Sequence, residues 1–204
     1  EQIKALAEPP SDYDRDGIID TDDQCPDKAE DLDGFEDKDG CPELDNDNDG
    51  VIDGLDECQG EAETLNGFRD DDGCSDERTE EVNQLEGRIE GLRFTRGSAT
   101  LRPQGRARAA LNRLGAILSA NPSVKIELLG HTDDREAEGD ELEELAQARA
   151  ESVREYLIIL GIGHGRMYSV GRGADEPIAN NRGRRGRFKN RRVEVKIFVA
   201  DSDP

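Results

Sequence analysis

The chain has 204 residues and a formal net charge of -22, enough length for one ordinary domain or two small ones. A balance this acidic argues against a nucleic-acid partner, and no apolar run approaches the roughly 20 residues that cross a bilayer. The charge is unevenly held: residues 1–86 carry 32 acids and 6 bases, residues 87–204 carry 17 acids and 21 bases, which puts a domain boundary near residue 86.

Residues 1–10 read as an N-terminal tail, and the absence of a signal peptide at Glu1 reads as a processed chain or an excised fragment. Residues 11–76 are mostly Asp, Glu, Gly and Asn, with too few aliphatics to offset the entropy of folding by themselves. They form a tandem repeat. The stretch DYDRDGIIDTDDQC (12–25) aligns with DNDNDGVIDGLDEC (45–58), and DLDGFEDKDGC (31–41) aligns with TLNGFRDDDGC (64–74). Cys25 to Cys58 and Cys41 to Cys74 each step by 33 residues, as do Gly17 to Gly50 and Phe35 to Phe68. A solvated acidic linker has no reason to keep Asp, Gly and Cys in register.

Each copy carries the spacing of an oxygen-ligand calcium loop. Asp12, Asp14 and Asp16 stand at positions 1, 3 and 5, Gly17 supplies the sharp turn at 6, the Ile18 carbonyl stands at 7, Asp20 at 9 and Asp23 at 12. The second copy repeats this with Asp45, Asp47, Asp49, Gly50, the Val51 carbonyl, Asp53 and Asp56. Alternation turns every second carboxylate to the inner side of a tight loop, which a hard cation with six to eight oxygen ligands requires. The flanking helices of an EF-hand are missing. Asp33, Asp37 and Asp39, with Asn66, Asp70 and Asp72 in the second copy, read as a shorter second ligand set. The expected cofactor is Ca2+.

All four cysteines lie in this half. An even count in a core-poor segment without CxxC pairs points to disulfides and an oxidising compartment rather than to zinc. Sequence alone permits three pairings. The segment resembles the thrombospondin type 3 repeat, in which calcium ions replace a hydrophobic core. That resemblance implies the pairs Cys25–Cys41 and Cys58–Cys74.

Residues 77–86 read as a linker, with a hinge or short helix in the polar stretch 78–90. GRIEGLRF reads as a strand ending at Phe94. Ala107, Ala110, Leu111, Leu114, Ile117 and Leu118 then recur at helical spacing, between Pro103 and Asn121-Pro122 as boundaries. VKIELLG alternates Val124, Ile126 and Leu128 against Lys125 and Glu127, a strand closed by Gly130. Asp140 is placed to cap the next helix, with Glu143 returning a hydrogen bond; that helix runs to about Leu160 and stops at Gly161. RMYSVGRG reads as a short strand, the Arg-, Gly- and Asn-rich stretch after it as a loop, and RRVEVKIFV as the last strand. The order is β-α-β-α-β-loop-β over residues 87–200, an α/β class sandwich, followed by a tail at 201–204.

On a helical wheel with Leu142 at zero, Leu145, Val153, Tyr156, Leu157 and Leu160 all fall within about 60° of the origin. Arg149 falls at about 340°, inside this apolar sector. A guanidinium drawn toward the sheet needs a partner, since an unpaired buried charge costs several kcal/mol. The nearest carboxylate with a reason to be there is Asp133. Two readings stay open: an internal Asp133–Arg149 salt bridge, or two groups side by side at a cleft mouth awaiting a ligand with both charges. The Arg fork suits a carboxylate and Asp suits an ammonium.

Here the motifs carry a resemblance. GHTD, then LAQARAESVREYL, then GRFKNRRVEVKI, preceded by LRFTRGSATLRP, is similar to the OmpA-like peptidoglycan-binding domain shared with Pal- and MotB-type proteins. The likeness covers roughly residues 87–200, with the pieces in order. It implies non-covalent binding of the peptide stem of peptidoglycan, with Asp133 and Arg149 holding the amino-acid head of diaminopimelate. By the same resemblance Thr132, Asn190, Arg191 and Arg192 belong near that pocket. The chain departs from the family pattern where Leu142 stands for an Asn, where Ala146 replaces a Ser, and in an acidic loop about one residue longer after Asp133.

Other function classes fit less well. His131 and His164 sit in no metal-ligand or nucleophile pattern, and no GxSxG, GxGxxG or P-loop spacing occurs, so no enzyme activity is expected. The basic stretch NNRGRRGRFKNRR offers phosphates one stacking ring, Phe188, in an acidic chain. The expected role is wall anchoring from the periplasm of a Gram-negative cell, through a calcium-stiffened spacer joined to the outer membrane by a segment upstream of Glu1. The alternative is a calcium-dependent adhesive or structural surface module with the α/β head as its anchor.

Overall fold

The computed structural model describes residues 10–199; the tails expected at 1–10 and 201–204 fall, Pro10 apart, outside them. The chain divides into two units, one taking residues up to Glu63 with Asp71–Ser75, the other taking Thr64–Asp70 and the chain from Asp76 onward.

The acidic unit has no helix or strand among its described residues. Its large apolar side chains are outside: Tyr13, Leu32, Leu44, Ile52 and Leu55 are all exposed. What it buries instead is polar, namely Asp23, Glu30, Asn46 and Asp56. Cys25 is bonded to Cys41 and Cys58 to Cys74. The backbone repeats as the sequence does. Gly40 and Gly73 lie so close to Asp23 and Asp56 that a Cβ at either would come within 2.2 and 2.1 Å of the carboxylate Oδ1. Only glycine lets the second half of each copy close over its buried aspartate.

The other unit is a mixed α/β fold. It contains α1 (Glu80–Asn83), β1 (Gly87–Arg88), α2 (Arg106–Ala120), β2 (Lys125–Gly130), α3 (Glu141–Ile159), β3 (Met167–Gly171), α4 (Arg184–Asn190) and β4 (Val193–Phe198). The sheet order is β1-β4-β2-β3. β2 runs parallel to β3 and antiparallel to β4, with Ile126 opposite Ile197 and Leu128 opposite Val195. Leu111 and Leu118 of α2, Val153 and Leu157 of α3, Ile126 and Leu128 of β2, and Val193 and Ile197 of β4 are almost wholly excluded from solvent. Each such side chain contributes about 1.5–3 kcal/mol. No helix among the described residues is long and apolar enough to cross a membrane.

Four local expectations give way. The first strand ends at Arg88, not Phe94, because the chain turns at Gly91 (φ 75°); Phe94 is buried from a loop. The stretch expected as a linker does hold the short helix allowed for it, α1 capped by Thr79, but it also supplies core, since Val82 and Leu85 are buried. Asp140 makes no side-chain cap, being itself in the helical region with its carbonyl accepting from Glu143 and Glu144. The basic loop contains α4, which has no apolar stripe for periodicity to detect; the Asn190 side chain pins its end to both backbone groups of Ala179.

One close approach positions the site. A Cβ on Gly130 would lie 1.9 Å from the Ala146 carbonyl oxygen, so α3 seats its Ala146–Ala150 face directly on the end of β2. That contact brings Arg149 beside the chain leaving β2 at His131, Thr132 and Asp133.

Candidate ligand-binding site and carboxylate clusters

Arg149 is fully buried. Its Nη1 and Nη2 donate to the two carboxylate oxygens of Glu136 at 2.6 and 2.7 Å. Nε donates to the Ser98 carbonyl at 3.1 Å, Nη1 also to that of His131 at 3.1 Å, and Nη2 also to that of Thr95 at 3.3 Å. All five guanidinium N–H groups therefore have an acceptor, and the Phe94 ring lies 5.0 Å from Cζ.

The Glu136 carboxylate is equally saturated. Besides the fork it accepts from the Gly97 amide at 2.9 Å and the Asp133 amide at 3.2 Å. Four donors thus converge on one carboxylate, and both side chains of the pair have no exposed surface. This corrects the expectation that Asp133 is the carboxylate facing Arg149. The acidic loop turns back after Asp133, held by Arg96 donating to the Arg135 carbonyl, and that turn carries Glu136 inward.

Asp133 is buried beside this pair with a different partner. Its Oδ2 accepts from Arg191 Nη1 at 2.6 Å and its Oδ1 from the Arg135 amide at 3.0 Å. Arg191, which also donates to the Phe94 carbonyl, is the arginine of its pair that faces in. Arg192 turns to Glu194 at 2.6 Å and to the Glu176 carbonyl at 3.0 Å. Asn190 is consumed in holding residues 179–181. Neither meets Arg149 or Asp133 in a hydrogen bond among those resolved. The Thr132 amide donates to the Gly173 carbonyl, and its hydroxyl is buried without a partner. Of the six residues expected to bind ligand, Asp133, Arg149 and Arg191 share one neighbourhood. Glu136 was missed; its only sequence signal is the longer acidic loop, which does not distinguish it from Asp134 or Glu138.

His131 is buried with neither ring nitrogen hydrogen-bonded. Burial, then the Arg192 charge, pushes its pKa down from 6.5 to about 4, against the opposing pull of Glu194. The folded chain therefore keeps His131 neutral where the unfolded chain takes up a proton. Stability contributed this way is complete above about pH 6.5 and declines as pH falls toward 4, by roughly 3 kcal/mol in all. Urea unfolding across pH 5–7 should show a slope in the native chain that His131→Gln lacks; equal slopes would refute the assignment.

In the acidic unit the carboxylate oxygens of Asp12, Asp14 and Asp16 lie within 4.8 Å of one another, as do those of Asp45, Asp47 and Asp49. Asp23 and Asp56, at position 12 of each loop, are buried with Oδ2 lacking a hydrogen-bond partner, and Asp14, Asp47 and Asp53 each have an Oδ2 in the same state. Asp14 is held above the usual carboxylate range by desolvation and by the charges of Asp16, Asp23 and Asp12; Asp47 is raised alike, by desolvation and then Asp49, Asp56 and Asp45. Buried oxygens of one sign, with no nitrogen or sulfur ligand among them, fit a hard divalent cation of the Ca2+ kind. Asp20 and Asp53 also accept from the Tyr13 and Asn46 amides.

The shorter ligand sets are not assembled as expected. Asp33 accepts from Asn46 and the Phe35 amide, Asp37 from the Gly34 amide, and Asp39 gathers with Glu36 and Glu43 instead. Glu30, Asp31 and Glu43 form a further group. In the second copy Asp70 accepts from the amides of Asn66, Gly67 and Phe68, and Asn66 donates to the Asp76 carbonyl. Asp72 accepts from the Cys74 amide; such loop-capping bonds are also made by Asp12, Asp14 and Asp16, so it is the gathering of oxygens that sets the two main loops apart.

Residues 93–191 match the OmpA family. The chain is 39% identical over 87 residues to "Peptidoglycan-binding protein ArfA" of Mycobacterium tuberculosis, covering 43% of this chain and 26% of that protein. It is 36% identical over 104 residues to "Outer membrane protein A" of Bordetella avium, covering 51% of this chain and 52% of that one. The peptidoglycan-associated lipoprotein of Burkholderia pseudomallei, a solved structure, aligns with a TM-score of 0.49 at 29% identity, over 52% of this chain and 88% of that one. The chain thus spans about half, or less, of the length of these two curated relatives.

Proposed function

We propose, from the OmpA family domain that residues 93–191 form, that the α/β unit is a non-covalent peptidoglycan-binding head. It recognises the amino-acid head of diaminopimelate in stem peptides, with Arg149 clamping the carboxylate and Asp133 accepting from the ammonium. The observation that carries this reading is the convergence of the Arg149 fork and two backbone amides on a single carboxylate, that of Glu136, three residues from the buried Asp133. A zwitterion needs such a pair of opposite receptors side by side. The printed names of the relatives, a peptidoglycan-binding protein and an outer membrane protein, agree with it.

The acidic unit is then a calcium-stiffened spacer that connects the head to the outer membrane through a segment upstream, in the periplasm. Its metal would be held by Asp12, Asp14, Asp16 and Asp23, and by Asp45, Asp47, Asp49 and Asp56, with the Ile18 and Val51 carbonyls at position 7. Bound Ca2+ supplies positive charge to carboxylates that otherwise lack a partner; folding and metal binding are one event.

Co-sedimentation with purified sacculi, with and without EDTA, tests both parts. Asp133→Asn removes the anion at constant shape, and Arg149→Lys keeps the charge but loses the fork. Each is expected to lower sacculus binding at least about tenfold, which corresponds to 1.4 kcal/mol, with circular dichroism unchanged. Wild-type-like sedimentation of both variants would sink the head. EDTA is expected to leave sedimentation intact.

A further inference from the structure

We propose that the Arg149 pocket is a carboxylate receptor closed by the chain's own Glu136, and that an external carboxylate enters by exchange with it. The inference rests on the wall-binding reading only for the identity of that external group.

The receptor is built independently of its occupant. Three of the five bonds of Arg149 go to main-chain carbonyls of Thr95, Ser98 and His131, so the guanidinium stays aimed when Glu136 leaves. The Gly97 and Asp133 amides lie in the same segments as these carbonyls, Gly97 between Thr95 and Ser98 and Asp133 two residues after His131. A carboxylate arriving here meets a fork and two N–H groups without reorganising them, which is how a preformed site gains affinity.

The occupant is held far more loosely. Asp134, Arg135, Glu138 and Gly139 around it are exposed, and Gly139 has φ 55°. Apart from its side chain and the Arg96–Arg135 contact, little ties this loop to the core, and both of those ties are polar. Glu136 can therefore swing out without exposing apolar surface. Departure alone would strand a buried guanidinium, at a cost of several kcal/mol. Replacement of one carboxylate by another keeps the pair neutral throughout, so exchange is the accessible route. The apparent affinity for any ligand is then reduced by the fraction of chains in which Glu136 is out. Glu136 sets that affinity and rejects ligands without a carboxylate.

The full chain with Glu136→Ala tests this through its helix signal on heating. In carboxylate-free buffer the variant is expected to melt below the native chain. Acetate at about 100 mM should return most of the difference by binding only the folded state, while chloride at equal ionic strength should not, and the native chain should respond to neither. Meso-diaminopimelate should act at lower concentration than acetate, and the variant should bind sacculi at least about tenfold more tightly than the native chain. If Glu136→Ala does not fold, Glu136→Ser, which also vacates the fork but keeps a short polar side chain, is read by the same measurements. Equal responses of the variant to acetate and chloride would overturn the receptor. Weaker sacculus binding on removal of Glu136 would overturn the exchange. Acetate rescue with no form binding sacculi, the native chain included, supports the receptor and removes only the wall ligand.

Discussion

Chelation with EDTA is expected to unravel the acidic unit and leave the α/β unit folded. The acidic unit has no apolar core among its described residues, and it buries Asp23, Glu30 and Asp56 with oxygens that lack a donor. Uncompensated buried carboxylates oppose folding, so a bound cation is the proposed source of stability beyond the two disulfides. A single site at a hundred times its dissociation constant supplies about 2.7 kcal/mol, so two loops of this kind would supply about 5 kcal/mol, comparable to the roughly 3 kcal/mol expected of each disulfide closing a loop of this length. Amide exchange at residues 11–63 and 71–75 should accelerate at least about a hundredfold per site emptied. The boundary makes the test sharp. Asn66, Gly67 and Phe68 belong to the repeat by sequence, yet Phe68 packs on the α/β core and a Cβ on Gly67 would strike Ile197. Their protection should survive EDTA. Uniform loss through residue 76, or no loss anywhere, would each contradict this account.

Arg149→Ala should cost the α/β unit about 3–5 kcal/mol, the largest single-residue effect expected in the molecule. The loss comes from the five hydrogen bonds removed and from Glu136, which must leave the pocket or stay there without its fork. Removing both charges together relieves that penalty, so Arg149→Ala/Glu136→Ala should be more stable than Arg149→Ala. The double-mutant cycle should give a coupling of about 2 kcal/mol or more. Helical circular dichroism during urea unfolding reports this unit selectively, since the acidic unit has no helix among its described residues. Additive losses would mean that the pair is not coupled, and the carboxylate receptor would lose its basis.

The elements that were legible in the sequence are those whose period matched their burial. Val124, Ile126 and Leu128 alternate and are all buried, and so do Val193, Val195 and Ile197; the helical stripe of α2 places Leu111 and Leu118 inward. Arg149 was legible for the same reason, as a cation at an apolar angle. Its partner was not. Asp133 was favoured because a strand end is a place a sequence can mark, whereas Glu136 is one acid among several in a loop, selected by a backbone turn that leaves no periodic trace. α4 escaped notice because its turn is made of Arg, Gly and Lys and is held by Asn190 from its end. The repeat showed the calcium-type spacing at once, but which of its shorter sets caps a loop and which gathers oxygens depends on turns such as those at Gly34 and Gly40.

The disulfides have a mechanical consequence. Each joins cysteines 16 positions apart and holds their Cα atoms at 5.0 or 5.1 Å, a length of chain that would otherwise stretch to roughly 55 Å. Under tension, the acidic unit could lengthen only outside these two clips. Pulling at the ends of residues 11–76 should therefore give a bounded extension that reducing agent increases by about 50 Å per clip, making the cysteines stops that limit how far this segment yields.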